Sequence, residues 1–305
     1  MNRREFSRKI GGAALAAAAL RLKPSASAGI PLPEGEASGV PFKLSVMLWT
    51  VFQDLPFGQR LEKVAEAGYH AVELVGEYKH WSETNFRNAL AKKRELGLTF
   101  DVTAGLAHGV GDPRDREALL ADLRTELPIM ERLECPAVII MSGDVVPGMP
   151  RQQQHQSCIE GLKRAAALVE GKSIAGEPVR LLPENIDPEE NPKYYLQSVA
   201  EGFEIIESVQ HPQVQFLYDF FHEQIAEGNL IEKLEKNIGR LGLVHIADVP
   251  GRHEPGTGEI NYVNIFRKLA ELKYDRYAAM EFWPTSDPVG KLRAAREMAR
   301  SAARA

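Results

Sequence analysis

The chain of 305 residues has little cysteine, no apolar run long enough to cross a bilayer, and no basic run in its body. Cys135 and Cys158 are the only cysteines; one disulfide between them is an alternative, but with Cys135 at the end of one predicted helix and Cys158 inside the next, two buried thiols are the favoured reading. The longest apolar run, Ile10 to Leu22, is about 13 residues against the roughly 20 that a spanning helix needs, so no permanent membrane span is expected. The whole chain carries −5, yet its first 28 residues hold six basic side chains against one acid, which leaves −10 on the rest. A body so charged repels phosphate backbones and anionic membranes, which argues against nucleic acid as a partner. Internal repeats and any composition break marking a second domain are also missing. With 44% hydrophobic and 26% charged residues, what remains is one large globular domain.

The N-terminal segment is an export signal by order of features. Asn2-Arg3-Arg4-Glu5-Phe6-Ser7-Arg8-Lys9 precedes the apolar run, and Ala26-Ser27-Ala28 offers an A-x-A-like cleavage site. An amphipathic helix is the alternative, but the run lacks a polar face. The arginine pair before Phe6 resembles a twin-arginine (Tat) signal, which implies the Tat export machinery as a partner and a periplasmic or secreted destination. Residues 1–28 are thus the signal, 29–40 a linker, and 41–305 the mature domain.

From residue 41 onward short apolar runs alternate with longer stretches of helical period. The runs predict strands at Leu44–Trp49, Ala71–Leu74, Thr99–Thr103, Ala137–Met141, Val179–Pro183, Gln215–Tyr218, Leu243–Ala247 and Ala278–Phe282. Between them, sets such as Leu61, Val64, Ala65, Gly68 and Leu162, Ala165, Ala166, Val169 recur at helix spacing. Eight strand–helix units in a single α/β domain predict a (β/α)8 TIM barrel. A doubly wound open sheet is the alternative, but no Gly-x-Gly-x-x-Gly turn follows the first strand.

Reactive side chains of such a barrel gather at the C-terminal ends of its strands. Strand five ends in Glu184, strand six in Asp219, strand seven carries His245, and strand eight ends in Glu281. Three carboxylates and one imidazole on one rim would repel and raise one another's pKa unless a divalent cation neutralised them. The oxygen-rich set suits Mn2+, Mg2+ or Co2+, with Zn2+ as the alternative. A lone acid at a strand end would read as a helix cap or salt-bridge partner, whereas four on consecutive strands read as a metal site. His222, three residues past Asp219, is expected to orient a ligand, touch substrate or open the next helix. The loop Pro250–Asn261, with three glycines and two prolines, is a shaped loop whose Arg252, His253 and Glu259 are expected to face substrate. Glu73, His108 and Trp49 are further substrate-contact candidates, and Trp49, Phe282 and Trp283 are candidate aromatic walls. His70, His80, His155 and His211 read as surface residues.

The segment His245-Ile246-Ala247-Asp248-Val249-Pro250-Gly251-Arg252-His253-Glu254-Pro255-Gly256-Thr257-Gly258-Glu259-Ile260-Asn261-Tyr262 resembles, almost residue for residue, the signature of the hydroxypyruvate isomerase-like members of the xylose isomerase-like TIM-barrel superfamily. The resemblance spans the mature chain, and Glu184, Asp219 and Glu281 fall where that family's metal-binding acids stand. It implies a divalent metal, a pair of glutamates working on opposite sides of a small carbohydrate substrate, and a homo-dimer or tetramer. His245 matches the epimerase branch, where hydroxypyruvate isomerases carry Gln. They also carry a basic residue after the strand-five glutamate, where this chain has Asp187-Pro188-Glu189-Glu190, an acidic stretch poorly placed to receive a carboxylate.

The expected activity is a metal-dependent isomerase or epimerase acting on a keto sugar or hydroxy-keto acid by proton transfer through an enediolate. Glu184 and Glu281 are the expected acid/base pair, which also ligates the metal, with Asp219 and His245 as purely structural ligands. The alternatives are a lyase or dehydratase acting on a 3-keto sugar, and a non-catalytic metal-dependent sugar-binding protein.

Overall fold

A computed structural model describes residues 40–305 of the chain. The export signal at 1–28 and the linker up to residue 39 lie outside the described residues. Eight parallel strands run in sequence order around a barrel: β1 (Lys43–Met47), β2 (Ala71–Leu74), β3 (Thr99–Thr103), β4 (Ala137–Ile140), β5 (Arg180–Pro183), β6 (Phe216–Asp219), β7 (Leu241–Ile246) and β8 (Tyr277–Met280). β1 pairs with β8 as well as β2, and the bridges Leu181–Val214 and Glu184–Leu217 join β5 to β6, so the sheet closes as a TIM barrel.

Period-two alternation builds two apolar layers from these short strands. Leu182, Leu217, Leu243 and Ala279 point into the barrel with Met47 and Ile139. Their neighbours Leu181, Phe216, Tyr218, Val244, Ala278 and Met280 point outward and meet the helices. The covering helices are α1 (Phe57–Glu66), α2 (Glu83–Glu95), α3 (Arg116–Leu133), α4 (Arg151–Val169), α5 (Val199–Val209), α6 (Phe220–Ala226), α7 (Leu230–Asn237), α8 (Tyr262–Glu271) and α9 (Pro288–Arg304). Each fully buried Leu or Val contributes roughly 1.5–3 kcal/mol, which is how strands of four residues hold their place. No helix among the described residues is long and apolar enough to cross a membrane. Cys135 and Cys158 are free and buried, as the sequence implies.

Three details depart from the sequence expectation. β1 stops at Met47, and Trp49 sits on a 3-10 turn (Leu48–Thr50) that the Thr50 hydroxyl closes by donating to the Met47 carbonyl at 3.1 Å. β7 starts two residues before Leu243, because Gly242 breaks the apolar run yet belongs to the strand: a Cβ there would stand 2.4 Å from Leu182 Cδ2. An antiparallel hairpin pairs Ser173–Ile174 with Glu177–Pro178, too short to show any periodicity.

Candidate metal centre

The pleat sets the centre. Glu184, Asp219, His245 and Glu281 each stand two residues beyond an inward apolar side chain, Leu182, Leu217, Leu243 and Ala279 respectively, so all four face inward one layer above them. The four are buried, and each offers a ligand atom within 4.8 Å of the others. His245 Nδ1 lies 2.5 Å from Glu281 Oε2, 3.3 Å from Glu184 Oε1 and 3.9 Å from Asp219 Oδ2. Register alone places Asp219 and Ala279 beside His245 on the flanking strands.

Three of the four are oriented by hydrogen-bond partners. His245 Nε2 meets Glu73 Oε2 at 3.0 Å, so the Nε2–H donates to that carboxylate and Nδ1 is left to face the cluster. Asp219 caps α6, its Oδ1 accepting from the backbone N–H of Phe221 at 2.8 Å and of His222 at 3.3 Å, which aims Oδ2 into the centre. The Trp49 indole N–H donates to Glu281 Oε1 at 2.6 Å. Arg252 Nη2 reaches Asp219 Oδ2 at 3.1 Å and Glu281 Oε2 at 2.9 Å.

The electrostatics call for positive charge. Burial pushes the Asp219 carboxyl up, against the pull of His222 and Arg252, and burial likewise raises Glu73. Burial alone would lower the His245 pKa, yet Glu281 and Glu73 crowd it so closely that it lies well above the usual imidazole range. A cation resolves this conflict better than a proton does, because one divalent ion can contact acids from three strand ends at once, whereas a proton serves one or two of them. Three carboxylates and one imidazole, convergent and desolvated, fit a divalent ion with oxygen preference.

A second cluster adjoins the first. His222 is buried between acids, with Nδ1 2.5 Å from Asp187 Oδ2 and Nε2 3.3 Å from Asp219 Oδ2. Burial lowers its pKa, but Asp219 and the Asp187 hydrogen bond outweigh that and raise it. Arg252 Nη1 sits 3.2 Å from His222 Nε2 and ion-pairs with Glu190 at 3.0 Å. Asp187, Glu190 and His222 could also surround an ion by distance, but the Arg252 guanidinium already supplies the positive charge there.

The loop after β7 is held by one side chain that sequence reasoning passed over. Asp248 is fully buried and its carboxylate accepts from the backbone N–H of Val249, Gly256, Gly258 and Ile260 at 2.8–3.0 Å. Gly258 has no room for a side chain, since a Cβ would lie 1.9 Å from the Val249 carbonyl oxygen. Arg252 is held at φ 55°, a left-handed conformation costly for any residue but glycine, by the Trp283 N–H to its carbonyl at 2.7 Å. An acid followed by a glycine-rich stretch is the signal that points to such a clamp.

Four expected substrate contacts lie elsewhere. Glu259 is exposed and accepts from Gln224 at 3.2 Å, because the Asp248 clamp turns the loop's far end outward. His253 is spent on the Trp283 carbonyl at 2.8 Å, and His108 on Asp122 of α3 at 2.9 Å. Glu73 is fully buried behind His245, with its Oε2 on the imidazole Nε2 at 3.0 Å. Trp49, Arg252 and His222 do border the centre. Trp49 packs edge-on against Trp283 at 5.0 Å between ring centroids, while Arg252 lies over the Trp49 ring at 5.5 Å. Of the histidines expected at the surface, His155 meets Glu201 of α5 at 3.1 Å, and His211 Nδ1 accepts from the Gln213 backbone N–H at 3.2 Å.

Comparison with known proteins agrees with this fold. The family described as xylose isomerase-like TIM barrel matches residues 61–302. A 2-oxo-tetronate isomerase of Pectobacterium atrosepticum is 33% identical over 260 residues, covering 81% of this chain and 95% of that protein. The hydroxypyruvate isomerase of Escherichia coli is 26% identical, covering 82% and 97%. Among solved structures, a family 2 AP endonuclease from Brucella melitensis superposes with a TM-score of 0.72 at 25% identity, covering 83% of this chain and 96% of that one.

Proposed function

The chain belongs to the xylose isomerase-like TIM barrel family, and we propose that it is a metal-assisted isomerase or epimerase that moves a proton beside the carbonyl of a keto sugar or hydroxy-keto acid. The observation that carries this reading is the convergence of Glu184, Asp219, His245 and Glu281, from four successive strands, within 4.8 Å. A divalent cation held by these four would neutralise the acids and polarise the substrate carbonyl as a Lewis acid.

Glu184 and Glu281 are the proton-transfer pair. They stand one residue past the C-terminal ends of β5 and β8, with β6 and β7 between them, so a substrate lying over the centre presents one face to each carboxylate. One carboxylate takes the proton from carbon; for isomerisation the carboxyl group so formed delivers it to the neighbouring carbon while the hydroxyl proton passes between the two adjacent oxygens, and for epimerisation the partner across the site, protonated beforehand, gives its own proton to the opposite face of the same carbon. Asp219 and His245 orient the set without moving protons. His222 and Arg252 hold substrate oxygens, and Trp49 with Trp283 excludes water from that side. The export signal read over residues 1–28 supports action outside the cytoplasm.

The test is solvent-proton exchange. Incubated with keto sugars in deuterated buffer, the metal-supplemented protein should wash deuterium into substrate C–H bonds without change of product skeleton. Glu184→Gln and Glu281→Gln should each lose at least roughly 100-fold in turnover. Unsaturated product would point to a lyase, and unlabelled substrate to a binding protein.

A further inference from the structure

Arg252 is the buried cation that faces the metal-site acids, and its guanidinium is already crowded. Nη2 faces Asp219 and Glu281, while Nη1 faces His222 and, at 3.0 and 3.2 Å, both oxygens of Glu190. Three carboxylates therefore surround one guanidinium. Glu190 does not reach it by chance. Asp187 Oδ1 accepts the backbone N–H of Glu189 at 2.8 Å and of Glu190 at 2.9 Å, a turn that fixes where Glu190 leaves the chain. The other oxygen of Asp187 holds His222, so one buried aspartate positions both the histidine and the acid that covers Arg252. No basic residue stands between Glu184 and Asn191, where Asp187, Glu189 and Glu190 make an acidic run.

We infer that Glu190 is a specificity-determining residue: it occupies the face of Arg252 that a substrate carboxylate would need, and so selects a neutral polyhydroxy ketone over a 2-oxo acid. This rests on the proton-transfer reading of the same site and narrows its substrate class. A carboxylate entering beside Arg252 must displace Glu190 or lie against like charges, and like charges set side by side penalise the wrong ligand. A hydroxyl or hydroxymethyl group meets no such penalty, because it donates to Glu190 and accepts from Arg252.

The experiment uses substrate pairs that differ only by a hydroxymethyl or a carboxylate next to the reacting carbonyl: dihydroxyacetone against hydroxypyruvate, and erythrulose against 2-oxo-tetronate. Binding to the metal-supplemented protein is measured calorimetrically, and deuterium wash-in is followed separately. The wild-type protein should bind the neutral member at least roughly tenfold more tightly. Glu190→Gln should shrink that ratio by a similar factor, and Glu190→Lys should invert it. Because Glu190 is exposed, unchanged thermal unfolding serves as the folding control. Equal or tighter binding of the acids by wild type, or a ratio that neither variant moves, overturns the inference. The predicted preference without deuterium exchange sustains it while removing the isomerase reading, and exchange without the preference does the reverse. Failure of both members to bind overturns both.

Discussion

Glu73 shows what a single side chain decides in this barrel. It has no exposure, its Oε2 takes the Nε2–H of His245, and it thereby presents Nδ1 to the three acids. Carboxylates that orient a ligating imidazole are worth about 10- to 100-fold in metal affinity. Glu73→Gln should therefore weaken binding of the activating metal by that factor in a direct metal titration, with chemical unfolding of the metal-free protein reporting any separate loss of stability. Unaltered affinity would mean that the tautomer of His245 is set by another group. The four candidate ligands were legible in sequence because each closes or ends one of four successive apolar runs, as His245 does after Leu243 and Val244. Glu73 lies in the apolar run of β2, paired across from Met47, and only the assembled barrel shows that it lies beneath an imidazole. Glu190 and Asp187 were visible only as an acidic stretch, since their pairing with Arg252 and His222 joins a loop to residues 62 and 35 positions away.

The β7–α8 loop is built as a unit, and its clamps make separable predictions. Asp248 gathers four backbone N–H groups, and each buried donor left without an acceptor costs about 1–3 kcal/mol. Asp248→Ala should lower unfolding free energy by at least about 2 kcal/mol in urea titration and displace Arg252, lowering activity in the surviving folded protein. A fully active, equally stable variant would show that the glycines alone shape the loop. Glu254 ties the same loop to the β8–α9 connection. Burial opposes its ionisation, but Lys291 at 2.7 Å and the Thr285 hydroxyl and N–H at 2.5 and 3.0 Å prevail and hold its pKa at about 2. A carboxyl whose pKa falls on folding stabilises above its unfolded value of 4.5, and that contribution fades as pH drops toward about 2. Stability curves of wild type and Glu254→Gln should thus stand apart above pH 4.5 and converge below it. Parallel curves throughout that range would exclude the carboxylate as the source. In sequence this loop read as shaped for substrate as a whole, because glycine and proline mark a turn without telling which of its side chains fold inward.

At the scale of the whole barrel, the order of strands and the two apolar layers follow from period-two runs interleaved with helical ones, and the sequence expectation for all eight strands holds to within a few residues at the ends. Closure is the part no local pattern contains. β5 and β6 meet through the isolated bridges Leu181–Val214 and Glu184–Leu217, and the second of these involves a ligand of the candidate centre. An ion held by residues at the C-terminal ends of β5, β6, β7 and β8 would link this seam to the rest of the ring, so it should act on global stability as well as on chemistry. At a free metal concentration of 100 times Kd, linkage adds about 2.7 kcal/mol, which for a domain of this size corresponds to roughly 5–10 °C in Tm. Scanning calorimetry with Mn2+, Mg2+, Co2+ or Zn2+ against excess chelator should show a shift of that order for the ion that binds. His245→Ala and Glu184→Gln should lose most of the shift while unfolding cooperatively. If none of the four ions moves the wild-type transition at millimolar concentration, the four side chains do not share a metal. Any proton transfer by Glu184 and Glu281 would then have to rely on Arg252 and the imidazoles, in place of a cation, to stabilise the developing oxyanion.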